Sequence, residues 1–175
     1  MLNEFIQELK DLMNRQIGNI HTACPGVIKK FNPDTGMATV RPLILTRTNA
    51  GDTLAYPDIA NVPVMFLQSC GGQASVCFPI QPNDGCLIVF AERSLSYWRT
   101  GADSYEQLDY DLTNAIAIPG LFIAPSANQQ LAQSENAVVV AYRNTKMAVR
   151  ADGVTIDGNV SVRGNVTATG TISGH

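Results

Sequence analysis

Histidine and cysteine can bind transition metals and take part in nucleophilic catalysis, and this 175-residue chain has few of either. It contains two histidines, His21 and His175, and four cysteines, at positions 24, 70, 77 and 86. Zinc sites usually need Cys-x-x-Cys pairs or accompanying histidines; no such pair occurs here, and His21 and His175 are the only histidines. We expect reduced cysteines that pack as small apolar residues, with no disulfide framework.

A run of carboxylates is the other candidate for metal binding. It consists of Asp103, Glu106, Asp109 and Asp111. Their spacing is not that of a calcium-binding EF-hand loop, and no histidine accompanies them. We interpret this run as a solvated loop.

No motif of enzymatic catalysis is present in the sequence. The two histidines are too far apart in sequence to suggest a triad, and neither a glycine-rich phosphate loop nor a metalloprotease helix occurs. We therefore name no catalytic residue and expect the protein not to be an enzyme.

The most informative stretch is a six-residue repeat between Asp152 and His175. Glycine recurs at positions 158, 164 and 170, which predicts short strands separated by tight turns. Two apolar columns keep the same period: Val154, Val160, Val166 and Ile172 in one, and Ile156, Val162 and Ala168 in the other. Such a repeat is typical of a β-helix or β-prism.

One chain cannot bury this repeat alone, because a coil of a single-chain β-helix needs three faces and about eighteen residues. Three copies around one axis would supply the three faces and leave no open strand edge. We therefore predict a homotrimer whose core is formed by the seven column residues. Burying each large side chain contributes roughly 1.5–3 kcal/mol before chain entropy is subtracted. The alternative is a flexible Gly/Ser/Thr-rich tail, and the regular valine columns argue against it.

The rest of the chain divides into three further segments. Residues 1–18 predict an amphipathic helix whose apolar face includes Phe5, Leu9 and Leu12, ready to dock on its own domain, on sister helices or on a partner protein. Residues 19–124 hold about five short strands with prolines at their ends, which indicates a small barrel such as the OB-fold. Residues 125–136 are polar and interpreted as a linker before the predicted trimeric β-helix segment at 137–175. The predicted fold class is thus mainly β.

Within the barrel segment, residues 27–31 and 37–43 form a predicted hairpin around a turn at 32–36, and residues 86–90 are predicted to form a buried strand. Four phenylalanines are expected to lie in the strand core: Phe31, Phe66, Phe78 and Phe90.

Charge and hydropathy exclude several classes of function. The net charge of −3 comes without a basic stripe, which disfavours nucleic acid and anionic membranes as partners. Charged residues make up only 15% of the chain, a low share that fits a surface partly hidden in an assembly. We see no membrane-spanning stretch and no secretory signal, and expect a soluble protein made in the cytoplasm.

Several stretches, in order, resemble a known family. They are Pro25-Gly26, ATVRP at 38–42, VPV at 62–64, FPI at 78–80, NDGCLIVF at 83–90, ERSLSYW at 92–98 and AIAIPGL at 115–121, followed by the repeat. Together these residues resemble the central spike, or tail-needle, proteins of contractile bacteriophage tails and tailocins.

The resemblance implies a homotrimer with an OB-fold domain and a tapering β-helix. Such a spike lies at the centre of the virion baseplate, is attached to a hub protein through its N-terminal portion, and pierces the bacterial outer membrane when the sheath contracts. We assign Phe5, Leu9 and Leu12 to hub docking on this basis. The protein would be made in the host cytoplasm.

The tip departs from the family pattern. Many members carry a His-x-His pair that gives one iron ion six imidazoles, whereas this sequence ends on a single His175. Three copies would offer three nitrogen ligands to one iron ion per trimer. A frayed polar end is the alternative.

Two other functions remain open from the sequence. The spike of a type VI secretion machine shares the barrel-plus-β-helix plan but is normally fused to a large hub, which this chain lacks. An OB-fold that binds oligonucleotides would need a basic, aromatic groove, and the acidic balance opposes it.

Overall fold

The computed structural model describes residues 2–18, 20–47, 51–102 and 109–173. The chain divides into two compact units, Met1–Phe122 and Ile123–His175.

The first unit contains two α-helices and nine strands among its described residues. In chain order they are α1 (Leu2–Gly18), β1 (Ala23–Asn32), β2 (Met37–Pro42), β3 (Leu45–Arg47), β4 (Thr53–Ala55), β5 (Ile59–Pro63), β6 (Leu67–Ser69), β7 (Ala74–Val76), β8 (Gly85–Phe90), α2 (Ser96–Thr100) and β9 (Ala115–Pro119). The prediction of a mainly β chain that begins with a helix is confirmed.

The predicted hairpin joins β1 and β2, which pair antiparallel from Gly26 opposite Pro42 to Asn32 opposite Met37. Asn32 begins the turn: its side-chain Oδ1 accepts the Asp34 N–H at 3.0 Å, and its carbonyl accepts the Gly36 N–H at 2.9 Å. Gly36 has φ of 68°, a conformation that glycine adopts without a steric penalty. The hairpin prediction is confirmed.

Five strands form one curled sheet in the order β5-β2-β1-β8-β9. Its two edges meet at a parallel bridge between Val64 and Ala117, where the Met65 N–H donates to the Ala117 carbonyl at 2.9 Å. Beyond the end of β5, the Val64 N–H also donates to the Gly36 carbonyl at 3.0 Å. The sheet is therefore an OB-like, partly closed barrel.

The barrel encloses the core, in which β8 is buried along most of its length, as predicted. Ile28, Val40, Cys86 and Ile88 are fully buried there. Gly85 allows close packing at one end of the barrel, since a Cβ placed on it would lie 1.9 Å from the Leu121 carbonyl oxygen.

Two short hairpins, β3–β4 and β6–β7, form separate two-stranded sheets. All twelve of their strand residues are exposed in the single chain, including Leu45, Leu54, Leu67 and Val76. These hairpins therefore contribute little to the core of the barrel.

The second unit contains a helix and a three-stranded antiparallel sheet. The elements are α3 (Ala127–Ser134), β10 (Val138–Tyr142), β11 (Thr145–Arg150) and β12 (Gly153–Asp157), and the sheet order is β10-β11-β12.

Helix α3 lies in the segment interpreted from the sequence as a linker. Ser126 and Gln129 form a capping box, in which the Ser126 hydroxyl accepts the Gln129 N–H at 3.2 Å and the Gln129 side chain accepts the Ser126 N–H at 2.7 Å. These two bonds satisfy N–H groups that would otherwise be unpaired at the start of the helix. Most of the segment that the sequence indicated as a linker is therefore helical.

Candidate functional site

The repeat residues are exposed wherever the structure describes them. The exposed fractions are 59% for Val154, 46% for Ile156, 62% for Val160, 55% for Val162, 65% for Val166 and 73% for Ile172, and Ala168 is also exposed. Val154 and Ile156 lie on one face of β12, whereas residues 158–173 form no helix or strand in the single chain. The chain thus carries a row of apolar side chains that it does not bury itself.

The first glycine of the repeat is fixed by its surroundings. Gly158 has φ of +141°, and a Cβ built on it would lie 2.8 Å from Cγ2 of Thr145 at the start of β11. Only glycine meets both conditions without strain. The turn that begins the repeat is therefore anchored to the sheet.

Helix α1 presents a second exposed apolar surface. Phe5, Leu9 and Leu12 are 62%, 47% and 53% exposed, and their spacing places them on one side of the helix. Ile6, Met13 and Ile17 widen this stripe and are also exposed. The structure brings the three predicted docking residues together on one face.

The cysteines fall into two pairs with different environments, and all four are free thiols. Cys24 and Cys86 are buried in the barrel, as predicted, and burial raises the pKa of both thiols, that of Cys86 to about 11. The prediction was wrong for Cys70 and Cys77, which are exposed at the β6–β7 hairpin. The reason is that this hairpin does not pack into the barrel core.

The four phenylalanines are not all core residues. Phe90 is buried, but Phe31 and Phe66 are only partly buried and Phe78 is 47% exposed, so the prediction was wrong for Phe78. The Phe66 ring contacts Phe31 and Phe78 edge-on, with centroids 6.2 and 5.3 Å apart. Sequence reasoning missed a further exposed aromatic pair on α2, Tyr97 and Trp98, at 69% and 68%.

The carboxylate run has structural roles where it is described. Asp109 forms an ion pair with Arg93 at 2.7 Å. Asp111 accepts hydrogen bonds from the hydroxyl and the N–H of Thr113 at 2.6 and 2.8 Å, and these bonds lower the pKa of its carboxyl. Asp103 and Glu106 lie outside the described residues.

His21, the one histidine among the described residues, does not lie in a metal centre. His21 packs against the rings of Tyr56 and Phe90, with centroids 5.7 and 5.5 Å away. His175 lies outside the described residues, so its assignment as a metal ligand stays a prediction. Among the described parts of the chain, no group of three or more His, Cys, Asp or Glu side chains could hold a metal.

Comparison with known protein families identifies the domain that forms the barrel. Residues 24–120 match the family described as the phage protein Gp138 N-terminal domain. The chain belongs to this family. Membership indicates a structural protein of a phage tail or baseplate.

The Gp138 N-terminal domain corresponds closely to the OB-like barrel. The match begins at Cys24 in β1 and ends at Gly120, directly after β9. Helix α1 and the whole second unit, including the repeat, lie outside the matched span. No curated protein matches the chain.

None of the helices in the described residues is long and apolar enough to cross a bilayer.

Proposed function

We propose that this Gp138-family protein is the central spike of a contractile tail, a homotrimer that pierces the bacterial outer membrane when the sheath contracts. The role is mechanical, and the protein is neither an enzyme nor a nucleic-acid-binding protein. It is a virion component of the baseplate.

The exposed apolar repeat carries this proposal. Seven column residues from Val154 to Ile172 lie open to water in the single chain, although burying each large side chain contributes roughly 1.5–3 kcal/mol. Three chains wound about one axis bury all seven, and the backbone groups that a single chain leaves unpaired then form hydrogen bonds between chains. A closed, hydrogen-bonded prism resists compression, which is what a piercing element needs.

The N-terminal helix attaches the spike to a baseplate hub protein. Helix α1 exposes a stripe through Phe5, Leu9 and Leu12 that the barrel leaves uncovered. An amphipathic helix with such a stripe is suited to an apolar groove on a partner. This assignment rests on the phage family of the adjoining barrel.

We further propose that three copies of His175 would hold one iron ion per trimer at the tip. Imidazole suits iron, zinc, copper or nickel, and iron is the choice that the resemblance to tail spikes supports. A bound ion would tie the three chain ends together.

A membrane-perforation assay on assembled particles tests the function. Particles whose spike carries Val160→Asp should fail to permeabilise outer-membrane vesicles after sheath contraction, because three buried carboxylates prevent the spike from assembling. Particles with Ser161→Asp, one residue away and outside both columns, should permeabilise them normally. Equal activity of both kinds of particle would contradict the proposal.

A further inference from the structure

The sheet β10-β11-β12 has two chemically different faces. On one face, Ala148 is only 5% exposed, and α3 packs along β10. The same face carries ion pairs of Lys146 with Asp157 at 3.3 Å and of Arg150 with Glu135. This face is therefore partly covered and has its charges paired within the chain, whereas Thr155 and Asp157 of β12 are exposed on it.

The other face is apolar and uncovered. The strand register places five residues of β10 and β11 on it, and their exposed fractions are 68% for Val138, 57% for Val140, 57% for Tyr142, 36% for Met147 and 38% for Val149. Thr145 is the only other residue of the two strands on this face, so the face carries no charge on β10 or β11. With strands about 4.8 Å apart and about 3.4 Å per residue, this face of the whole three-stranded sheet measures roughly 14 by 17 Å.

The apolar face is continuous with the repeat columns. Val149 lies directly opposite Val154, and Met147 lies directly opposite Ile156, across the β11–β12 pair. Cβ atoms of such pairs are about 4.5–5.5 Å apart. Val154 and Ile156 are also the first members of the two columns, so whatever covers the start of the columns must also cover β11.

We propose that this face packs against the same face of two other copies of the chain, so that the trimer interface begins at Val138 rather than at Val154. The inference rests on the proposed homotrimer and names the surface on which it starts. Three sheets meet around the axis as a prism, with α3 and the ion pairs on the outside. A hub protein or a lipid surface does not suit the face, because neither would continue along the columns of the same chain.

Paired glutamate substitutions in the full chain test the inference. Val140→Glu places three carboxylates next to the axis, and we expect the trimer to be lost at concentrations where the unsubstituted protein is fully trimeric. Thr155→Glu introduces the same side chain on the outer face, beside Arg150, whose Nη1 lies 2.9 Å from the threonine hydroxyl. We expect that variant to remain trimeric.

Cross-linking provides a second test that does not depend on the folding of Val140→Glu. In a chain with Cys70→Ser and Cys77→Ser, Val140→Cys should give species of two and three chain masses with a short bis-maleimide, whereas Thr155→Cys should stay at one chain mass. Cys24 and Cys86 are buried and protected from the reagent.

The outcomes separate this inference from the proposed trimer. A trimeric Val140→Glu protein, together with an uncross-linked Val140→Cys protein, would overturn the packing of this face while leaving the homotrimer intact. An unsubstituted protein that is monomeric would overturn both.

Discussion

At the scale of single residues, Gly85→Ala should destabilise the barrel by about 1–3 kcal/mol, because the added Cβ would clash with the Leu121 carbonyl oxygen. Gly18→Ala is the matched control, since no atom lies within 4 Å of its Cβ position. Thermal unfolding followed by circular dichroism should show a lower melting temperature for the first variant only. Equal melting temperatures would mean that the ends of the barrel are looser than described.

The burial of single residues was only partly predictable from the sequence. Cys24 and Cys86 were correctly expected in the core, because they lie in strands with alternating burial. The prediction was wrong for Cys70, Cys77 and Phe78, since residue type does not reveal that the β6–β7 hairpin forms a separate sheet away from the core. Only the strand pairing shows this.

The Cys86 thiol should make the barrel less stable at alkaline pH. Burial holds its pKa at about 11 in the folded state, against 9.0 in a solvated thiol, so the folded state favours the protonated form. Its contribution is fully present below pH 9 and is lost as the pH rises towards 11, by about 2–3 kcal/mol in all.

The test compares unfolding free energies at pH 8 and pH 11. Cys86→Ala should show a smaller loss than the unsubstituted protein, whereas Cys70→Ala, at an exposed thiol, should show the same loss. An unchanged loss in Cys86→Ala would exclude this thiol as the cause.

Also at the residue scale, metal analysis tests the proposed role of His175 as an iron ligand. Protein purified without an affinity tag should contain about one iron per three chains, and His175→Ala should remove it. The metal should also dissociate below about pH 6, where protonation of histidine competes with binding. Metal-free protein under iron-replete growth would refute the site.

At the scale of elements, periodic segments were predictable and polar ones were not. The β1–β2 hairpin follows from its turn residues, and α1 follows from its apolar spacing. Helix α3 was missed, although its Ser-x-x-Gln start at Ser126 is a capping signal that the sequence contains. The alternation of Val138, Val140 and Tyr142 is visible in the sequence, but it lies outside the six-residue period, so these residues were not assigned to the predicted trimer core.

Helix α1 should bind the hub without being needed for folding. We expect Leu9→Glu to leave a trimer with an unchanged melting temperature that no longer binds the hub, because the charge falls in the middle of the apolar stripe. Asn14→Glu, on the opposite side of the helix, is the control and should bind normally. Binding can be measured by pull-down with the purified hub protein.

If Leu9→Glu instead aggregates or melts at a lower temperature, α1 belongs to the core of the spike. Hub docking would then have to involve another surface.

At the scale of the whole molecule, the single chain exposes more surface than a compact protein of its size. Its accessible surface is 13842 Å². Two separate compact bodies with the masses of its units would together expose only about 10,000 Å². The excess is rich in large apolar side chains on α1, the hairpins, the sheet of the second unit and the repeat. The proposed trimer would cover part of these surfaces, which would account for the low charge content of the chain.

The most direct test of the account is the mass of the purified protein in solution, measured by native mass spectrometry or multi-angle light scattering. The account predicts three times the 18.8 kDa chain mass at micromolar concentration, for the tag-free full chain. Val166→Asp should abolish that species, because three carboxylates would meet at the axis. A folded, stable monomer at the single-chain mass would contradict the central claim.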